Sequence, residues 1–280
     1  MNEQFTTVIT SQRKWFDFNL KELYRYRDLI FLFVRRTFVS QYKQTILGPA
    51  WAIIQPLMTT VVMTVVFGNI AGLSPSGVPS FAFYLCGSIA WTYFSACLTT
   101  TSNTFTANAS ILGKVYFPRL VMPVSSVLSQ LIAFAIQFLF FLGFLAYYWI
   151  TGANVQPNLL VLMTPVFLAH MAMLSLGVGV IISAMTTKYR DLAMVVGFGV
   201  QLWMYASPVA YDISVIPQAY QGIYMLNPVT PIINMFRYAF LGVGEPSWGY
   251  YGISWAVTAA VLFVGILLFN RVEKTFMDTV

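Results

Sequence analysis

Charge is scarce in this chain, because charged residues make up only 9% of its 280 residues while hydrophobic residues make up 58%. Soluble domains usually carry about a quarter charged residues, so this chain cannot cover a surface that faces water. The sequence also has a single histidine, only two cysteines and nine scattered acidic residues. It therefore offers no metal-ligand cluster and no carboxylate pair placed for general acid–base catalysis.

A phosphate-binding loop is also missing. Gly113-Lys114 is followed by Val115 and lacks the upstream glycine of the G-x-x-x-x-G-K-[ST] motif. If the protein moves a large substrate uphill, another polypeptide must supply the energy.

Six apolar stretches are present, and each is long enough to cross a bilayer as a helix. They span residues 51–67, 81–104, 120–149, 159–185, 192–210 and 250–269. None contains Asp, Glu, Lys or Arg, which argues against ion-coupled transport and proton pumping. His170 has no acidic neighbour in its span, which favours a neutral packing role. We therefore predict an all-α integral membrane protein with six transmembrane helices.

The basic residues predict the orientation of these spans. Fourteen of the fifteen Lys and Arg residues lie before the first span, in alternate connections or after the last span, and Arg237 is the exception. Basic residues near spans stay in the cytoplasm, so both termini are expected there. Residues 1–19 are predicted to be a flexible N-terminus, 47–273 the transmembrane domain and 274–280 a cytoplasmic tail.

Residues 20–46 are predicted to form an amphipathic helix in the cytoplasmic interface. Apolar residues such as Ile30 and Phe33 alternate at helical spacing with basic residues such as Arg35 and Arg36. Two interpretations remain open, a basic membrane anchor or a docking platform for a cytoplasmic partner.

Residues 211–249 are too apolar for a free loop and too interrupted by proline and glycine for a span. Irregular backbone at membrane depth needs surrounding protein or a water-filled cavity. We predict two re-entrant half-helices, 213–224 and 229–241. Arg237 could pair with Asp212 or Glu245, reach the headgroup layer, or contact an anionic lipid-linked substrate.

The second span carries a polar stripe. Ser88, Thr92, Ser95, Thr99 and Ser102 follow one another at intervals of four and three residues, which places them on one helix face. Such a stripe often serves helix packing. The alternative is a conduit for sugars, lined by these hydroxyls and by the rings of Tyr84, Trp91 and Tyr93.

Several segments together resemble one family. They are RRTFVSQYKQTILGPAWAIIQPL at 35–57, KVYFPR at 114–119, YASPV at 205–209, LNPVTPIINMFRYAFLG at 226–242 and RVEKTF at 271–276. This set is similar to the membrane subunits of ABC-2 type polysaccharide exporters, especially the O-antigen (lipopolysaccharide) export permeases of the bacterial inner membrane.

The resemblance implies two permease copies, two cytoplasmic ATPase subunits that hold ATP and Mg, and no cofactor, metal or nucleic acid on this chain. The implied substrate is an undecaprenyl-pyrophosphate-linked polysaccharide that moves from cytoplasm to periplasm. The implied substrate path comprises Tyr84, Ser88, Trp91, Thr92, Tyr93, Ser95 and Thr99. The implied gate comprises Tyr211, Pro217, Pro228, Pro231 and Arg237. The implied ATPase contacts are Arg35, Arg36, Lys114, Val115, Tyr116, Phe117, Pro118 and Arg119.

Other functions remain open at this stage. An exporter of capsular polysaccharide, teichoic acid or a small molecule would share this architecture. A membrane-bound glycosyl- or acyltransferase is a further alternative, although the missing acid–base cluster argues against it.

Overall fold

The computed structural model describes residues 20–43, 45–112, 117–186, 189 and 191–275. These residues form helices and no β-strand. The α-helices are α1 (Leu20–Arg25), α2 (Arg27–Tyr42), α3 (Trp51–Met63), α4 (Ser80–Ser102), α5 (Thr104–Leu112), α6 (Val121–Ile150), α7 (Thr164–Thr186), α8 (Leu192–Tyr205), α9 (Gln218–Met225), α10 (Val229–Leu241) and α11 (Trp248–Thr275). The predicted flexible N-terminus and most of the predicted tail lie outside the described residues.

Five helical stretches of the described residues are long and apolar enough to cross a membrane. They are Gly48–Ile70, Ser80–Ser102, Val121–Ile150, Leu159–Thr186 and Trp248–Phe269. The first begins with a 3-10 turn and ends in a π-helix, Thr64–Ile70, while the fourth begins with a 3-10 helix, Leu159–Met163. These stretches match five of the six predicted spans, and the all-helical membrane fold is confirmed.

The fifth predicted span differs from expectation. α8 has 14 residues and ends at Tyr205, five residues before the predicted end. Its rise is about 21 Å, shorter than a hydrocarbon core of about 30 Å. The helix ends there because Pro208 lacks an N–H and disfavours helical backbone at the residue before it. The count of six spans stays a prediction.

The core of the bundle forms around α4, which is largely buried against α3, α6, α7, α8 and α10. α7 also packs closely on α11. A Cβ on Gly177 would lie 2.9 Å from the Leu262 Cα, and one on Gly265 would lie 2.7 Å from the Gly177 carbonyl oxygen. Small residues at such crossings let membrane helices approach backbone to backbone.

The predicted interface helix, 20–46, is shorter than expected and divided. The turn at Tyr26 separates α1 from α2, and α2 ends at Tyr42. α2 packs on α6, and its buried Ile30 joins a cluster with Phe105, Phe117 and Phe269. The predicted amphipathic helix is therefore attached to the bundle by an apolar contact of its own.

Candidate functional site

A cleft of about 620 Å³ lies between the end of α2, α3, α4 and α6. Thr92, Tyr93, Ser95 and Thr99 line it, so four of the seven predicted path residues share one cavity wall. α3 contributes Trp51 and Gln55 to the lining, and α6 adds further lining residues: Gln130, Ala133, Phe134 and Gln137. No Asp, Glu, Lys or Arg stands among the described residues of the lining.

Two hydroxyl groups of the cleft, those of Ser95 and Thr100, bond to the helix that carries them. Ser95 Oγ donates to the Thr92 carbonyl oxygen at 3.1 Å, and Thr100 Oγ1 donates to the Ala96 carbonyl oxygen at 2.7 Å. A hydroxyl that donates to its own helix keeps two acceptor lone pairs. The α4 wall therefore presents acceptors to whatever enters the cleft.

Aromatic rings stand beside these polar groups. The rings of Tyr93 and Phe134 lie edge to face with centroids 5.3 Å apart, and Trp51 lines the same space. The cleft thus combines flat apolar faces with hydroxyl and amide groups, and its described lining residues carry no charge. This chemistry suits an uncharged polyhydroxylated ligand.

Tyr84, Ser88 and Trp91, the other three predicted path residues, do not line this cleft. They are almost fully buried in the chain. The Tyr84 ring lies against Gly68, whose added Cβ would be 3.1 Å from Tyr84 Cε2, and Ser88 Oγ lies 3.9 Å from the Met63 sulfur. The polar stripe of α4 is therefore divided, since one end is covered by the first span and the other lines the cleft. The assignment of these three residues to a path stays a prediction.

Two short helices that differ sharply in burial occupy the predicted half-helix segments: α9 begins five residues later than predicted, α10 has the predicted bounds, and their re-entrant placement stays a prediction. A 3-10 turn, Ile213–Val215, and Pro217 precede α9, while Pro228 and Pro231 stand at the start of α10. Proline favours the first turn of a helix, where its missing N–H costs nothing. Eleven of the thirteen α10 residues are buried, whereas α9 has none buried. α10 is thus part of the core, and α9 lies on the surface of the bundle.

Arg237 is the largest buried side chain of α10, with 2% of its surface exposed. Its guanidinium donates to the carbonyl oxygens of Pro208, Val209 and Tyr211, the last two at 2.7 and 3.3 Å. It also lies 3.7 Å from the centroid of the Phe83 ring. These carbonyls belong to the irregular backbone that follows α8, so Arg237 satisfies groups that a continued helix would have bonded.

The sequence-based expectation for Arg237 needs correction. Among the described residues its hydrogen-bond partners are carbonyl oxygens, and neither Asp212 nor Glu245 forms an ion pair with it. The reason is geometric, because the backbone after α8 brings its carbonyls closer to the guanidinium than any acidic side chain comes. In this structure protein covers its side chain, and a contact with the headgroup layer or with a lipid-linked substrate stays a prediction.

Hydrogen bonds to the Tyr205 carbonyl oxygen join α9 and the segment before it to the end of α8. Tyr211, a predicted gate residue, shares a hydroxyl–hydroxyl contact with Tyr224, and both hydroxyls donate to the Tyr205 carbonyl oxygen, at 3.0 and 3.2 Å. Asn227 accepts from Trp203 Nε1 at 2.9 Å and donates to the Ala206 carbonyl oxygen at 3.0 Å. Sequence reasoning missed Tyr224 and Asn227. The Asn-Pro pair at 227–228 was the available signal, since it favours a turn.

The predicted coupling turn is only partly described. Lys114, Val115 and Tyr116 lie outside the described residues. Phe117 and Pro118 are buried, and the Phe117 ring lies 5.9 Å from that of Phe33 on α2. Arg119 is half-buried, while Arg35 and Arg36 are exposed on α2. The structure thus brings the described part of the turn and the interface helix into contact.

Comparison with known proteins agrees with this architecture. The ABC-2 type transporter family model matches residues 28–241. The chain is 26% identical over 253 residues to the O-antigen export system permease protein RfbA of Klebsiella pneumoniae, covering 90% of this chain and 94% of that protein. It is 25% identical over 266 residues to RfbA of Myxococcus xanthus, covering 93% and 98%. It is also 22% identical over 258 residues to the polysialic acid transport protein KpsM of Escherichia coli, covering 90% and 95%. Since the family match extends over most of its length, the chain belongs to the ABC-2 type transporter family.

Proposed function

We propose that the protein is the permease subunit of an ATP-driven polysaccharide exporter, with undecaprenyl-pyrophosphate-linked O-antigen as its substrate. The observation that carries this proposal is the uncharged cleft, whose hydroxyls, amides and aromatic rings suit sugar rings and whose lining is shared by Thr92, Tyr93, Ser95 and Thr99. Family membership and the names of the relatives point the same way.

A carrier of acidic polysaccharide is the second candidate. KpsM is named for the transport of polysialic acid, an anionic polymer, and is 22% identical to this chain. An anionic chain favours cationic groups along its path. The described lining of the cleft has none, which favours a neutral or weakly charged repeat.

The energy source in this proposal is a pair of separate ATPase subunits, which hold ATP and Mg, acting on two permease copies. α2 and the turn before α6 would transmit their motion as one body, because Phe33 and Phe117 are in ring contact and Ile30 belongs to the same buried cluster. Phe105 of α5 stacks on Phe269 of α11 at 4.6 Å in that cluster, so the motion would also reach α11.

The glycan would advance along weakly binding surfaces in the direction away from the ATPases, from cytoplasm to periplasm. Hydroxyls already bonded to their own helix offer acceptor contacts of about 0.5–1.5 kcal/mol each, and such contacts hold a sugar without trapping it. The basic flanks of the spans support a cytoplasmic location for both termini in the bacterial inner membrane.

Two experiments test this proposal. One deletes the protein from its host, and the other purifies a tagged copy by affinity. We expect loss of surface polysaccharide on deletion and an ATPase subunit recovered in equal amount with the tagged protein. Phe117→Ala should reduce export while Leu139→Ala, at an exposed position of α6, should not. Normal surface polysaccharide without the chain would overturn the exporter function. A tagged protein recovered without an ATPase would overturn the coupling assignment.

A further inference from the structure

We infer that the cleft is a saccharide subsite in which Gln137 of α6 is the specificity-determining residue, with its side-chain oxygen accepting a hydrogen bond from a sugar hydroxyl. This inference rests on the proposed function and adds α6 to the substrate path, whose predicted residues, Tyr84 to Thr99, lie on α4.

The first observation is an unpartnered polar atom. Gln137 lines the cleft, has only 5% of its surface exposed, and its Oε1 has no hydrogen-bond partner. A buried amide oxygen without a partner destabilises a fold, and nearly all such groups in native proteins are paired. A ligand hydroxyl that donates a hydrogen bond to Oε1 would satisfy this atom. Without such a ligand, an apolar side chain at position 137 would make the fold more stable.

The second observation is the set of polar residues that line the cleft beside Gln137. Gln130, Ala133, Phe134 and Gln137 follow one another at helical spacing, so a single face of α6 points two amides and one ring into the cleft. Gln55 of α3 lines the same space. Amides offer both donors and acceptors, which matches hydroxyl groups that do the same.

The chemistry of the lining narrows the class of ligand. A phosphate group would need cationic partners, and a metal or ammonium ion would need carboxylates, but the described lining has neither. The volume of about 620 Å³ falls in the range of sites that enclose small organic molecules. An uncharged sugar segment fits these conditions, whereas the pyrophosphate of a lipid carrier does not.

The test uses photo-crosslinking in cells whose export system is active. A p-benzoylphenylalanine placed at Gln130 lies in the cleft, and the same residue at Leu139, on another face of α6, is the matched control. The tagged protein is purified after irradiation, and its adducts are assayed for carbohydrate by periodate–hydrazide labelling and for phospholipid by mass spectrometry. We expect carbohydrate on the protein labelled at 130 and not on the protein labelled at 139.

Gln137→Met then tests the amide itself, because methionine keeps the length of glutamine and removes its polar atoms. We expect the carbohydrate yield from position 130 to fall about three- to tenfold, the range that one neutral hydrogen bond supplies. The unfolding temperature of the purified variant should stay unchanged or rise, whereas a merely structural glutamine would make it fall. Poor accumulation of Gln137→Met counts, like a lowered unfolding temperature, against the role assigned to its amide, whereas Gln55→Met, at an exposed lining residue, tests the subsite itself by the same yield.

The outcomes separate this inference from the proposed function. If deletion of the chain leaves surface polysaccharide unchanged, both are overturned. If surface polysaccharide depends on the chain but position 130 yields phospholipid alone, the subsite is overturned and the exporter stands. Full carbohydrate yield in Gln137→Met, or a lowered unfolding temperature, overturns the role assigned to the amide.

Discussion

Replacing Gly87 by alanine should destabilise the protein only while Arg237 is present. A Cβ on Gly87 would lie 2.4 Å from Arg237 Nη2 and 3.1 Å from Cζ, so the guanidinium must move. Nη2 donates to the Val209 carbonyl oxygen at 2.7 Å, and a hydrogen bond from a charged group contributes about 1.5–3 kcal/mol. Alanine in a helix gains about 1 kcal/mol over glycine, which leaves a net loss of about 0.5–2 kcal/mol in the free energy of unfolding.

The sign should reverse once the arginine is gone. In Arg237→Met the guanidinium no longer meets a Cβ at position 87, so Gly87→Ala keeps only its helix-propensity gain of about 1 kcal/mol. The coupling energy of the double-mutant cycle is then about 1.5–3 kcal/mol, the contribution of the displaced hydrogen bond. Arg237→Met alone should lower the free energy of unfolding by about 3 kcal/mol or more, because it leaves several carbonyls without donors.

Unfolding of the four purified variants in mixed detergent micelles measures this cycle. Gly143→Ala on α6 is the matched control, since nothing lies within 4 Å of a Cβ at that position, and it should behave alike in both backgrounds. Equal effects of Gly87→Ala with and without Arg237 would refute the packing argument and the role assigned to the guanidinium.

Three further predictions follow from burial and hydrogen bonding. Backbone amides of α9 should exchange with deuterium faster than those of α10, and Tyr224→Phe should increase the exchange rate of α9 further. Mass spectrometry of peptides measures this exchange, and equal protection of both helices would contradict the prediction. Thr258→Val removes the hydroxyl that hydrogen-bonds His170 Nε2 at 2.9 Å, and it should lower the free energy of unfolding by about 1 kcal/mol without changing export. Loss of export at normal protein levels would instead support a proton-relay role for His170. Tyr84→Ala should lower stability by about 3–5 kcal/mol and reduce the amount of protein along with export, whereas normal amounts with failed export would support its place in the path.

Hydropathy and proline placement predicted much of this fold from the sequence. Runs of apolar residues bounded by polar turns must leave water together, which is why α4, α6 and the helical stretch Leu159–Thr186 end close to the predicted ends of their spans. The break at Pro228 likewise predicted the start of α10 at Val229, whereas the first half-helix was predicted across Pro217 and α9 begins only after that proline, which limits the backbone there.

The candidate site was predictable only in part. Helical periodicity placed Thr92, Ser95 and Thr99 on one face of α4, and the structure brings them to one cleft. Periodicity says nothing about which helix covers a face, so it could not show that Ser88 lies under the first span.

The sequence by itself determined an apolar helical membrane protein with sparse, asymmetric charge, because hydropathy and periodicity act over a single turn or span. Only the tertiary structure decided that Arg237 bonds to carbonyls about 28 residues away along the chain and that Gln137 shares a cleft with the hydroxyls of α4. Those outcomes depend on contacts between distant segments, and the partners of a buried polar group are set by whichever backbone or side chain the packing brings within about 3 Å.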